Sequence, residues 1–114
     1  MDLTVYHNPR CRKSREALQI ITDKGIEPKI VEYLKNTPTV VELRSVIDKL
    51  GVKPESLVRK GEQVYKEKFK GKELNDHEWI KVLVKFPVLI ERPIVIKGNK
   101  AVIGRPPENV NTFL

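Results

Sequence analysis

Residues 2–15 read Asp2-Leu3-Thr4-Val5-Tyr6-His7-Asn8-Pro9-Arg10-Cys11-Arg12-Lys13-Ser14-Arg15. Alternation through Tyr6 spells a short strand. The turn His7-Asn8-Pro9-Arg10 breaks it. From Cys11 to about Lys24, Ala17, Leu18 and Ile21 recur on one face and predict a helix with Gly25 as its stop. The run Lys29-Ile30-Val31-Glu32-Tyr33 predicts a second strand. A strand, a helix and a strand over this distance imply a parallel pair joined by a right-handed crossover.

The rest of the chain extends this start. Thr39 and Glu42 have capping-box spacing and open a helix with Val40, Leu43, Val46, Ile47 and Leu50 inward, ending at Gly51. Pro54 to Val58 predicts a short helix with Pro in its first turn. A further helix is expected around residues 63–69. Asn75 can cap a helix from Asp76 to Phe86 with Trp79, Ile80, Leu83 and Val84 inward, ended by Pro87. Pro93 to Ile103, with Gly98-Asn99 at its centre, is a hairpin signal. Gly104-Arg105-Pro106-Pro107-Glu108 then starts a short C-terminal helix. The expected fold is α/β: a small mixed four-stranded sheet flanked by helices, laid out as in thioredoxin or glutaredoxin. A single domain over residues 1–114 is expected, with a helical insertion over about 39–90.

Composition narrows the function. A chain of 114 residues, 39% hydrophobic and 32% charged, is an ordinary globular length and mix. No apolar run approaches the roughly 20 residues of a membrane span. The start lacks the basic and apolar regions of a signal peptide, so a cytoplasmic location and no membrane association are expected. The one cysteine excludes an internal disulfide and a zinc site built from cysteines of one chain. EF-hand and Walker A loops are absent, and no metal or bound cofactor is implied. The net charge of +7 favours anionic partners. An aromatic content of 6% counts against nucleic acid, which needs stacking surfaces. Lys66, Lys68, Lys70 and Lys72 read as a solvated face rather than a binding patch. Trp79 reads as core and His77 as surface.

Cys11 is the candidate for chemistry. It stands where a strand hands over to a helix, and the unpaired N–H groups of a helix start stabilise an anion. Arg10, Arg12 and Lys13 flank it and His7 precedes it by four positions. Each favours thiolate over thiol, so a nucleophilic Cys11 is expected; His7, in a loop after a strand, reads either as a surface or capping residue or as the assistant of Cys11. The competing reading is a half-buried structural cysteine, a common fate for this residue, although the charged neighbours argue against a core position. Arg59, Arg92 and Arg105 are the other candidates. Arg59 follows a short helix whose dipole it complements, Arg92 is held extended by Pro93, and Arg105 is a cation placed before a helix start.

His7-Asn8-Pro9-Arg10-Cys11-Arg12-Lys13-Ser14-Arg15 resembles the active-site segment of the glutaredoxin-linked arsenate reductase (ArsC) family. The resemblance continues through Leu57-Val58-Arg59-Lys60, Phe86-Pro87-Val88-Leu89-Ile90-Glu91-Arg92-Pro93-Ile94-Val95 and Gly104-Arg105-Pro106-Pro107-Glu108, in order over essentially the whole chain. It implies a thioredoxin-like fold with an inserted helical region. Cys11 matches the family's nucleophile, and Arg59, Arg92 and Arg105 match the arginines that hold the oxyanion. His7 matches the histidine associated with lowering the cysteine pKa, and Arg92-Pro93 the place of a cis proline. The implied activity is reduction of arsenate to arsenite through a Cys11 adduct. Glutathione is then the co-substrate and glutaredoxin the partner that completes the reduction. Arg12 and Lys13 depart from the small residue and Thr common there, and Gly61 stands where Asn is common.

Two other functions share these residues. One is a glutathione-dependent thiol reductase acting on a different substrate. The other is an Spx-like regulator that binds RNA polymerase. Many Spx proteins sense oxidation through Cys-x-x-Cys, but the position three after Cys11 is Ser14, so such a switch is unavailable.

Overall fold

The computed structural model describes residues 2–114, which form two compact units. The first comprises the chain up to Asn36 together with Arg92–Leu114, and the second is Thr37–Glu91. Among the described residues, no helix is long and apolar enough to cross a membrane.

The first unit holds a four-stranded sheet. Its strands are β1 (Leu3–Tyr6), β2 (Lys29–Val31), β3 (Ile94–Lys97) and β4 (Lys100–Ile103), in the spatial order β2-β1-β3-β4. β1 pairs in parallel with β2 and antiparallel with β3, which pairs antiparallel with β4. Val5 sits in register with Ile30 on one side and Val95 on the other. Period-2 alternation sends Leu3, Val5 and Val95 to one face. There they meet Ala17 and Ile21 of α1 (Arg12–Asp23) and Val110 and Phe113 of a C-terminal 3-10 helix (Pro107–Phe113) in one buried cluster. This is the mixed sheet of a thioredoxin-like fold, as expected.

Several boundaries differ from expectation. Cys11 is extended (φ −92, ψ 121), so it caps α1 rather than opening it. The second strand stops at Val31, because the Glu32 carbonyl accepts from the N–H groups of Lys35 and Asn36 and turns the chain. Tyr33 instead stacks on Tyr6, with ring centroids 6.4 Å apart. The hairpin turns as read, with Gly98 at φ 60 supplying its left-handed corner.

The second unit is helical: α2 (Val40–Leu50), α3 (Gln63–Lys68) and α4 (Asp76–Lys85), with 3-10 helices at Pro54–Leu57 and Pro87–Leu89. Both α2 and α4 begin with complete capping boxes, Thr39 with Glu42 and Asn75 with Glu78. Each such cap stabilises its helix by about 1 kcal/mol. Leu43, Val46 and Ile47 of α2 and Trp79, Ile80 and Leu83 of α4 are buried, with Leu57, Leu89 and Ile90. Pro87 does more than end α4: it opens a 3-10 turn closed by Leu89 N–H on the Phe86 carbonyl. That turn brings Ile90 opposite Val58 in an antiparallel bridge. The lysines at 66, 68, 70 and 72 are exposed.

One close contact in the first unit fixes the loop after β4. Gly104 donates its N–H to the Pro93 carbonyl at 2.9 Å. A Cβ there would lie 2.9 Å from Pro93 Cγ and 3.2 Å from both Ala17 Cβ and Val110 Cγ1. Gly104→Ala is therefore expected to destabilise the protein by about 1–3 kcal/mol, the usual cost of overpacking. A urea titration followed by circular dichroism checks this.

Candidate active site

The turn between β1 and α1 is tied down atom by atom. His7 N–H reaches the Val31 carbonyl at 2.9 Å, continuing the β1–β2 ladder one residue past its end. The Arg10 N–H donates to Asn8 Oδ1 at 3.0 Å, and the Cys11 N–H donates to the Asn8 carbonyl at 3.0 Å. Arg15 Nη1 reaches back from α1 to the Pro9 carbonyl at 3.0 Å. Ser14, fully buried in the first turn of α1, accepts the Asn8 N–H on its Oγ at 3.1 Å and shares a 2.6 Å hydrogen bond with His7 Nδ1. These bonds hold Cys11 over the open end of α1, where backbone N–H groups lack helical partners.

Cys11 is half-buried and free. Burial pushes its thiol pKa up, but the Ser14 backbone N–H and the Arg92 and Arg105 guanidiniums outweigh this, and the net shift is downward. Arg105 Nη1 lies 3.8 Å from Cys11 Sγ and also donates to the Arg92 carbonyl at 3.3 Å. Two of the three arginines singled out in the sequence thus converge on the thiol. Two loops of the first unit bring them there, and the Gly104–Pro93 bond joins those loops. Both Arg92-Pro93 and Arg105-Pro106 are cis.

Arg59 belongs to the helical unit. The Val58–Ile90 bridge sets it beside Glu91, with Arg59 N–H on the Leu89 carbonyl at 2.8 Å and Glu91 N–H on the Leu57 carbonyl at 2.9 Å. Its guanidinium pairs with Glu91 Oε1 at 2.7 Å and with Glu62 Oε2 at 3.5 Å. Burial opposes its charge, the two carboxylates outweigh that, and the pKa rises. Arg12 stands exposed and pairs with Glu16 at 2.8 Å.

His7 meets the site through Ser14. Burial lowers its pKa, with Glu32 opposing and Arg15 adding to the shift, so the neutral imidazole is favoured. The groups that lower the Cys11 pKa are Ser14, Arg92 and Arg105. Ser14 is the residue sequence reasoning passed over. A serine in the first turn after the capping cysteine was the available signal, since its N–H is one of the unpaired donors of the helix start.

The ArsC family model matches residues 6–113. The chain belongs to the ArsC family. A Haemophilus influenzae protein named arsenate reductase is 44% identical to it over 116 residues, covering all of both chains. An Escherichia coli relative named only as the uncharacterized protein YfgD is 43% identical over 93% of this chain and 91% of its own. Among solved structures, an arsenate reductase from Vibrio cholerae superposes with a TM-score of 0.95 at 40% identity, covering 100% of this chain and 98% of the other. In this ArsC member, the motif that carries the family resemblance around residues 7–15 is the segment that builds the thiol turn.

The thiol environment predicts two outcomes. The alkylation rate of Cys11 against pH is expected to inflect below the ordinary free-thiol value, and Arg105→Ala to move that inflection upward. Ser14→Ala, which leaves the Asn8 N–H and His7 Nδ1 without this partner, is expected to lower stability by about 1–3 kcal/mol. Chemical denaturation checks the second.

Proposed function

We propose that this ArsC protein is a thiol-dependent arsenate reductase that uses glutathione and glutaredoxin. The observation that carries the proposal is the approach of Arg105 to Cys11 Sγ at 3.8 Å on the open end of α1. An arginine within reach of a lowered-pKa thiolate supports an oxyanion beside a nucleophile. The names of the relatives supply the oxyanion, arsenate.

In this reading the Cys11 thiolate attacks arsenic and forms an S–As bond. One arsenate hydroxyl takes a proton and leaves as water. Arg92 and Arg105 offset the charge on the remaining oxygens through charge-assisted hydrogen bonds, which preorganised donors supply without reorganisation. Arg59 is assigned the same role from its family position, and its Glu91 and Glu62 partners would hold the guanidinium plane. His7 is assigned to support the thiolate through Ser14 as a neutral base rather than as a cation.

The chain has a single cysteine, so the electrons must come from outside. Glutathione condenses on the arsenic with loss of a second water. A glutaredoxin thiolate then attacks the glutathione sulfur. The two become a disulfide, and the electron pair of the broken S–As bond stays on arsenic, taking it from As(V) to As(III). Water finally cleaves the Cys11–As bond, releasing arsenite and restoring the thiol. The cytoplasm, where reduced glutathione is kept, is the compartment proposed for this cycle.

The test is arsenate-dependent NADPH oxidation coupled through glutathione, glutaredoxin and glutathione reductase, NADPH belonging to the coupling enzyme. Turnover is expected from the unaltered protein and none from Cys11→Ser. Arg105→Ala is expected to lower kcat/KM by about 100-fold, the scale of losing one preorganised donor to a transition-state oxyanion. No turnover from folded protein with a reactive Cys11 would overturn arsenate as the substrate.

A further inference from the structure

Beside the Cys11 turn lies a cavity of about 210 Å3, walled by the turn itself and by the chain leaving β2. Its charged lining comprises Arg10, Lys35 and Glu32, with the buried side chains of His7 and Asn8 behind them and the half-exposed Leu34 at one side. Glu32 and Lys35 face each other at 3.8 Å, a loose and largely solvated pair. Arg10 is exposed and has no carboxylate within salt-bridge distance among the described residues. The wall thus presents two cations and one anion over a small apolar patch.

That mixture selects among anions. A bare oxyanion would meet Glu32 as well as the cations, and like charges at close range are unfavourable. A group carrying an ammonium and a carboxylate on one carbon satisfies both signs. The cavity is smaller than the roughly 300–1,000 Å3 of sites that enclose a drug-sized ligand, which fits one arm of a small peptide. The turn that walls it closes through Cys11 N–H on the Asn8 carbonyl at 3.0 Å, so the thiol follows the wall by one tight turn.

We propose that this cavity holds the γ-glutamyl head of glutathione, with its ammonium on Glu32, its carboxylate on Arg10 and Lys35, and its methylenes against Leu34. The assignment rests on the thiol chemistry proposed above and locates the co-substrate for it. Arg10 and Lys35 become specificity residues for the resolving thiol rather than for the oxyanion.

The experiment needs no arsenate. Oxidised glutathione reacts directly with Cys11: the thiolate attacks one sulfur, a Cys11–glutathione disulfide forms, and the second glutathione leaves as its thiolate. Its rate is compared with that of hydroxyethyl disulfide, which is neutral and lacks the amino-acid head. Lys35→Glu is expected to slow the first reaction about fivefold, the scale of reversing one surface charge contact, and to leave the second unchanged. Lys24→Glu makes the same charge change at the exposed end of α1, outside the cavity. It is expected to leave both rates nearly unchanged. Titration with S-methylglutathione is expected to shift the NMR signals of the His7 ring and spare those of His77. Equal slowing by Lys35→Glu and Lys24→Glu, or no shift at His7, would overturn the proposal. A Lys35-dependent reaction in a protein that shows no arsenate turnover supports the cavity assignment and removes only the arsenate reading.

Discussion

The 2.6 Å hydrogen bond between Ser14 Oγ and His7 Nδ1 ties the end of β1 to the first turn of α1. The same oxygen accepts the Asn8 N–H, so one hydroxyl satisfies the turn from inside. With the side chain of Ser14 committed there, its backbone N–H is left facing the sulfur of Cys11. The constraint is a division of labour within one residue: the side chain fixes the loop and the main chain serves the thiolate. A buried polar group must find partners, and here its partners are the segments that position the nucleophile. Arg92 and Arg105 are then brought in by a second constraint, the close approach of Gly104 to Pro93, which leaves no room for a side chain.

The elements that depend on local chemistry were legible in the sequence. The Thr39–Glu42 capping box, the Asn75 cap that the structure completes with Glu78, the cysteine at the start of α1 and the Gly98-Asn99 turn follow from neighbours within a few positions. The parallel β1–β2 pair and the β3–β4 hairpin were legible too, whereas the antiparallel pairing of β3 with β1 joins strands from opposite ends of the chain and left no local signal. The 3-10 turn at Pro87–Leu89 was not legible, because one turn of apolar sequence has no period to read. The true end of β2 depended on a carbonyl at Glu32 being taken by the next turn, which alternation does not reveal.

The site was legible by residue type and less so by geometry. Cys11 and Arg105 meet across 94 positions of chain, a separation that spacing rules do not bridge. Their meeting had only the family resemblance to suggest it. A spacing of four positions and the family resemblance both point His7 at Cys11, yet the hydrogen bond of its Nδ1 goes to Ser14. The same resemblance marks Arg59, but the carboxylates that grip it are set by the Val58–Ile90 bridge and by a helix start. Opposite charges on distant elements pair only once the fold has chosen their neighbours.

The single tryptophan has a consequence of another kind. Trp79 is buried on α4 against Phe69, with ring centroids 6.2 Å apart, and both belong to the helical unit. The single cysteine belongs to the sheet unit. The protein therefore carries one indole reporter and one thiol labelling point, each confined to a different half. Indole emission follows loosening of the helical half, and a dye on the sulfur follows the sheet. Agreement between the two signals is the criterion for a single cooperative transition, read without introducing any new tryptophan or cysteine.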